Sequence, residues 1–497
     1  MTKVMVLWDP TKQYVGCSNW TAYTKEEYVM AREIIPRQEM PQATLEQRKT
    51  SFAEIKLGFT AEAAVQEAKR CIKCKQAQCS LRGCPLKNRI PEWVALTAEG
   101  KFMEAAALSR TTSAMPEICG RVCPQDRLCE GKCALGIKGE AVAIGSIERF
   151  INDYARSQGD IPLPVGSPTG KKVGVVGAGP AGLSVAEQLR ALGHAVTIYD
   201  SLPEAGGLLR FGLPHFKIQP ATMQNRWSLL EKAGVVFKGN TRVGKDVAFD
   251  ELVKGHDAVF VAPGTWLSSV PKLPGRELPG IVQSLEFLKD GAEGMPVRGM
   301  PVIVLGGGDT AMDCARSAIR RGASRAVIAY RRDEANMPGS KKEVKMAKEE
   351  GVEFILLISP LEFLAGPNGK LRAIKFQKME LGEPDAEGRR SPKPVAGSEF
   401  EMAAETAVMA FGFKLDSDLA TKSLGLGLSP EGNILVNAET GATTRPGVFS
   451  GGDAVLGADL VVRAVVAGRK AAAGIHRFLN QEPWDALKPV PAQGGTL

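Results

Sequence analysis

VGVVGAGPAG, residues 173–182, decides the fold. A short apolar run leads into Gly177, Gly179 and Gly182, a G-x-G-x-x-G set between a predicted strand and a predicted helix through Leu192. Gly177 permits the tight turn. Gly179 lets the backbone approach a pyrophosphate, and Gly182 lets helix and strand pack closely. The helix N-terminus offers free N–H groups and the positive end of its dipole to phosphates. The next strand ends at Tyr199, and Asp200 follows, 23 positions after Gly177. A carboxylate there accepts hydrogen bonds from both ribose hydroxyls.

The pattern returns about 130 residues later. VIVLGGGDTAMD places Gly306, Gly308 and Ala311 in a G-x-G-x-x-A variant, followed by a helix through Arg320 and a strand over 326–330. That strand ends in Tyr330-Arg331-Arg332, with no acid at the ribose position. A guanidinium pairs a phosphate bidentately, so these arginines favour a 2′-phosphate and NADPH over NADH. Asp333 and Glu334 come next and are able to neutralise them. A third segment, GVFSGGDA (447–454), ends a strand at Gly451-Gly452-Asp453 ahead of a helix over 460–479. Asp453 and that helix N-terminus suit the ribityl chain and the reduced ring of a flavin. A hairpin is expected near DAEGRR (385–390). Two βαβ units imply two doubly wound nucleotide-binding domains.

Upstream of the Pro- and Gly-rich linker 159–170, the chain changes character. Thr60 caps a predicted helix over 60–70, and 91–109 reads as two more helices. Eight of the ten cysteines lie in this region, between Cys71 and Cys133. They run Cys71-x2-Cys74-x4-Cys79-x4-Cys84-Pro85, then Cys119-x3-Cys123-x5-Cys129-x3-Cys133. Thiolates ligate iron–sulfur clusters, and a closing Cys-Pro is similar to the ferredoxin run. Zinc is the rival, but no histidine lies between 71 and 133, and the x4 and x5 spacings fit zinc knuckles poorly. Cys17 and Cys314 stand apart as free thiols. Only Cys314 lies in 150–497, which argues against a disulfide reductase with a redox pair beside its flavin. The four histidines are scattered and read as structural.

With 497 residues, the chain has room for roughly three domains. Charged residues at 24% and hydrophobic ones at 44% exclude a disordered chain. No uncharged apolar run of about 18 residues predicts a membrane span, and no signal-peptide core is seen, so a cytoplasmic protein is expected. The net charge of +8 comes without long like-charge blocks or aromatic-basic interleaving, which argues against nucleic acid. Residues 1–150 carry +5 of it, from 22 basic and 17 acidic residues.

PEICGRVCPQDRLCEGKC (116–133), GGLLRFGLPHFK (206–217), VLGGGDTAMDCAR (304–316), YRRDEANMPGS (330–340) and GEPDAEGRR (382–390) carry a family likeness from about Phe52 to Phe478. The chain resembles the small (beta) subunits of NADPH-dependent glutamate synthase and their wider family of FAD, NADPH and iron–sulfur oxidoreductases. The resemblance implies an α/β architecture with an FAD domain split by an inserted NADPH domain, preceded by a mostly helical iron–sulfur domain. The expected divisions are an arm (1–50), a helical domain with two 4Fe–4S clusters (51–158), a first FAD-binding segment (171–290), the NADPH domain (291–413) and a second FAD-binding segment (414–497). FAD is expected on Gly177, Gly179, Pro180, Ala181, Gly182 and Asp200. Gly207, Leu208, Gly264, Gly452, Asp453, Leu460 and Val461 complete its set. NADPH is expected on Gly306, Gly308, Asp309, Thr310, Arg331 and Arg332.

By the same resemblance, Cys71, Cys74, Cys79 and Cys133 hold one cluster. Cys84, Cys123 and Cys129 hold the other, with Glu148 as its fourth ligand and Cys119 as the alternative. The family usually has three residues between its third and fourth cysteines. This chain has four, so the extra residue must bulge, with Gly83 available. The implied activity is electron input to a glutamate synthase, with no side chain acting as nucleophile or acid. The implied partner is a large FMN-containing subunit that makes glutamate from glutamine and 2-oxoglutarate. The same module serving ferredoxin or polysulfide is the alternative, and a zinc-stabilised binding protein a third reading. The +5 excess then reads as compensation for buried anionic clusters and as a docking face.

Overall fold

The computed structural model describes residues 35–384 and 390–482. Most of the expected arm, the tip of the expected hairpin, 385–389, and residues 483–497 of the expected second FAD-binding segment lie outside the described residues. The strands flanking that tip pair antiparallel, and Leu371–Pro384 also pairs with Phe400–Ala403.

Two five-stranded parallel sheets organise the rest. The first runs Val448–Ser450, Ala258–Val261, Lys172–Val176, Ala195–Tyr199, Val236–Lys238. The second runs Ile281–Gln283, Thr406–Met409, Pro301–Leu305, Arg325–Tyr330, Glu353–Leu356. In both, the strand that feeds a glycine loop sits at the centre. It is covered on both faces, so it reads as a continuous apolar run rather than an alternation. The chain crosses between the sheets twice, and the crossings are tied where Leu267–Ser268 pairs antiparallel with Phe413–Lys414. Ile281–Gln283 therefore joins the second sheet, ahead of the 290/291 division expected from sequence. That strand is three residues long and has no pattern of its own to mark it.

The cysteine module is helical. Thr60 caps Ala61–Lys69, its hydroxyl accepting from the Ala63 N–H at 3.2 Å. The helix Ile144–Ser157 buries Ile144, Ile147, Ile151 and Ala155 along one face, against Trp93 and Ala105. The indole N–H of Trp93 donates to the Asn88 side-chain oxygen at 3.2 Å.

This module is fused to the first sheet. Met115 and Ile118 lie in the same core as Val173, Leu183 and Phe260. Beside them Arg226 donates to both carboxylate oxygens of Glu117 at 2.7 Å, and to Glu187 at 3.1 Å. All three side chains are buried. The second sheet's helix Asp309–Arg320 is clamped as well. Lys217 pairs with Asp313 and Glu343 at 2.5 and 3.1 Å, and the Phe216 ring lies under Arg316 and Arg320.

Truncating one partner of a buried ion pair strands the other charge, at about 3–5 kcal/mol. Arg226→Met is expected to lose that much in denaturant unfolding. Arg226→Met with Glu117→Leu is expected to recover some of it, and an additive double variant would count against a coupled pair.

Candidate functional site

The cysteines converge on two cavities. Cys71, Cys74, Cys79 and Cys133 line the first, with about 420 Å³ of empty space and walls from Ile90, Val94 and Ile144. Cys84, Cys119, Cys123, Cys129 and Glu148 line the second, with about 400 Å³. The residue count between Cys79 and Cys84 is absorbed by a single turn of π-helix, Cys79–Gly83. Gly83 is needed there for close approach, because a Cβ would lie 2.8 Å from the Cys129 Cα.

Burial pushes the Cys79 thiol up to about 11 and the Cys84 thiol up to about 12. Cys123, hydrogen-bonded to Cys119 and buried, and Cys129, through burial, are raised well above their ordinary value. Burial, then Glu117, lifts the Glu148 carboxyl to about 8, against a hydrogen bond from Asn88 at 3.2 Å. A pocket of this kind favours neutral thiols until a cationic metal centre draws the protons off. Among the described residues, no three His, Cys, Asp or Glu side chains converge closely enough for a single ion. The donor set suits a multi-atom cluster better than one zinc. Glu148 and Cys119 both reach the second cavity.

All the residues expected to hold FAD except Gly182 line one large cavity, of about 1650 Å³ empty space. Gly177 has φ +100°, and a Cβ there would meet the Ala262 carbonyl at 2.1 Å. Gly182 serves packing, since its Cβ would lie 2.0 Å from the Gly177 carbonyl. Gly179 faces open space. Asp200 accepts from Ala178 N–H at 2.6 Å and Leu202 N–H at 2.8 Å, which leaves lone pairs for ribose hydroxyls. Its carboxyl is raised by burial against those bonds. Asp453 is lifted to about 7 by burial and by Asp459. Leu460 and Val461 bring the start of the nineteen-residue helix Val461–Leu479 to the same cavity.

Asp309 and Thr310 reach this cavity from the second loop; Gly306, Gly308, Arg331 and Arg332 do not line it. Gly306 has φ +147° and closes on the Ala410 carbonyl, while Gly308, like Gly179, faces open space. These two open glycines are cradles that a side chain would fill, as a pyrophosphate site requires. Asp333 accepts instead from Asn336 at 2.7 and 3.0 Å, and Glu334 pairs with Lys348 at 2.7 Å. The acids that follow the arginines are thus engaged elsewhere. The Arg332 Nε is buried without a hydrogen-bond partner.

Sequence reading missed Trp266, Phe413 and Arg127, which also line the large cavity. Trp266 and Phe413 belong to no motif, and Arg127 lies inside the cysteine-bearing segment 116–133, where the thiols carry the pattern. The histidines are less scattered than expected, since His194 and His476 meet at 2.9 Å in a structural pair.

Residues 48–160 match the family model described as dihydropyrimidine dehydrogenase domain II, 4Fe-4S cluster, and 171–468 match that of pyridine nucleotide-disulphide oxidoreductases. The glutamate synthase [NADPH] small chain of Escherichia coli (strain K12) is 44% identical over 90% of this chain and 98% of its own. The chain belongs to the glutamate synthase small-chain family. A family member of another name, the NADP(+)-dependent formate dehydrogenase subunit beta of Moorella thermoacetica, is 38% identical over 81% of this chain and 60% of its own. Mycobacterium tuberculosis FprA in complex with NADPH shares the fold, with a TM-score of 0.53, 19% identity, and coverage of 63% of this chain and 85% of that one. As in the family, the cofactors are FAD, NADPH and 4Fe–4S clusters.

Two expectations follow. Gly83→Ala is expected to fold with less iron per chain, measured by iron assay, because its Cβ drives the Cys129 segment off the second cavity. Gly308→Ala is expected to keep its stability, having open space at that Cβ, and to raise the Kd for NADP+ at least tenfold by calorimetry.

Proposed function

We propose that this chain is the electron-input subunit of a glutamate synthase. It takes hydride from NADPH onto FAD and passes single electrons through two 4Fe–4S clusters to a large FMN-containing subunit that makes glutamate from glutamine and 2-oxoglutarate. The observation that carries this reading is the presence, in one chain, of two glycine loops with open second glycines and two cysteine cavities.

We read the residue roles as follows. The open faces at Gly179 and Gly308 admit pyrophosphates, and the helices starting at Pro180 and Asp309 present their N-termini to them. Asp200 orients the ribose of FAD. Asp453, Leu460 and Val461 bound its flavin end. Arg331 and Arg332 read the 2′-phosphate. Cys71, Cys74, Cys79 and Cys133 hold one cluster; Cys84, Cys123, Cys129 and Glu148 hold the other. Residues 51–158 form the cluster domain, 171–290 and 414–497 the FAD domain, and 291–413 the NADPH domain, to which sheet pairing adds Ile281–Gln283. No helix among the described residues is long and apolar enough to cross a membrane, and we place the protein in the cytoplasm.

The similarity to a formate dehydrogenase subunit favours a second reading, the same module serving another acceptor. Co-purification from the native source separates the two. A large glutamate synthase subunit, with NADPH oxidation dependent on glutamine and 2-oxoglutarate, supports the first; a different partner without that dependence supports the second. For the nucleotide, Arg331→Ala with Arg332→Ala is expected to raise KM for NADPH at least tenfold and leave KM for NADH nearly unchanged. Equal effects on both would show that these arginines do not read the 2′-phosphate.

A further inference from the structure

The large dinucleotide cavity is lined by five carboxylates: Asp200, Asp309, Asp313, Asp453 and Asp459. Among the described residues its only basic lining side chain is Arg127. Lys217, which pairs with Asp313, opens on the neighbouring cavity instead. A cavity meant for phosphodiester anions is therefore acidic apart from one guanidinium. That guanidinium comes from the cluster module, in the Cys123–Cys129 segment, whose residues Leu128 and Cys129 line the second cysteine cavity.

Arg127 is exposed, and its guanidinium makes a long hydrogen bond, from Nη2 to the Pro338 carbonyl at 3.5 Å. Pro338 stands at the lip of the second glycine loop. The next residue, Gly339, donates to the Gly307 carbonyl at 3.0 Å, and Ser340 N–H donates to Asp309 at 2.7 Å. The guanidinium thus stands beside the second glycine loop, in a cavity that the loop at Gly177–Gly179 also lines.

We propose that Arg127 is a binding residue for the diphosphate bridge of NADPH, so that the cluster module completes the substrate site of the NADPH domain. The inference rests on the reading of the second glycine loop as the NADPH site. A guanidinium suits a diphosphate because its planar fork donates to two oxygens at once. It also offsets the carboxylates that ring the cavity. Occupancy of the NADPH site then bears on the same short segment that carries Cys123 and Cys129.

The test uses the intact oxidised protein with NADP+ and with 2′-AMP, which has the 2′-phosphate and lacks the diphosphate. Arg127→Gln is expected to raise the calorimetric Kd for NADP+ about tenfold and leave that for 2′-AMP unchanged, with FAD and iron content intact. Arg127→Lys is expected to fall between. Phenylglyoxal labelling of the unsubstituted protein, mapped by mass spectrometry, makes the test independent of folding. NADP+ is expected to protect Arg127, Arg331 and Arg332, and 2′-AMP only the last two. Protection of Arg331 and Arg332 by NADP+ without Arg127, or an equal loss of NADP+ and 2′-AMP affinity in Arg127→Gln, overturns the inference and leaves the NADPH reading standing. Protection of none of the three by NADP+ overturns both.

Discussion

The buried contact among Arg226, Glu117 and Glu187 sets where everything else lies. Glu117 sits on the helix Pro116–Val122, two residues before Cys119 and six before Cys123. Glu187 sits on the helix that begins at Pro180, at the first glycine loop. One guanidinium therefore joins the element that carries a cysteine cavity to the element that carries the dinucleotide cavity. Ion pairs in a dry interior are poor sources of net stability, because desolvation offsets most of the attraction. They do define geometry. The bidentate hydrogen bonds from Arg226, on the helix Pro220–Lys232, to Glu117 admit little sliding between the helices that carry them. Met115 and Ile118, in the core of the first sheet, supply the apolar burial that such a pair does not.

The features legible in the sequence are those where a local backbone constraint dictates the residue. Gly177 and Gly306 must take a positive φ against a carbonyl, and Gly182 must let a helix touch its own loop. No other residue does this, so the two nucleotide folds are written into ten-residue windows. The cysteine count was equally plain, but the partition was not. Chain order alone would group Cys133 with Cys119, Cys123 and Cys129. The partition came from family resemblance, and the structure brings Cys133 to the cavity of Cys71, Cys74 and Cys79. The roles of Arg127, Trp266 and Lys217 were not legible, although Arg127 and Lys217 lie in segments that carry the family likeness. Each is a single long side chain that acquires its surroundings only when segments far apart in sequence meet, and no periodicity announces it.

Among the described residues, the positive charge ahead of residue 150 does not sit where anionic clusters would need it. Lys132 is the only described cation lining the first cysteine cavity, and none lines the second. Four arginines of the module are spent on its own loops. Arg37 and Arg70 hold the Ala141 carbonyl together with Glu130 and Glu67. Arg121 and Arg149 close on Glu54 and Asp153. Compensation for buried thiolates must then come from the metal and from backbone N–H groups. Cys84 shows the second source, with the Leu86 and Asn88 amides lowering a thiol that burial raises.

The dinucleotide cavity meets anions in a different way. Its glycines remove side chains, its helix N-termini supply partial charge, and its carboxylates are committed in advance. Asp200 is held by its own loop, and Asp309 by Ser340. An acid so held repels a phosphate less than a free one, since its lone pairs already face N–H donors. Even so, a cavity with this many carboxylates needs a mobile counter-charge near the phosphates. Among the described residues the second sheet contributes no cation to the lining of this cavity: Arg316 and Arg320 are locked over Phe216 and onto Glu350, and Arg331 and Arg332 do not line it. The need falls to a neighbouring domain, which is why the segment between two cysteines carries an arginine that reaches out of its own module.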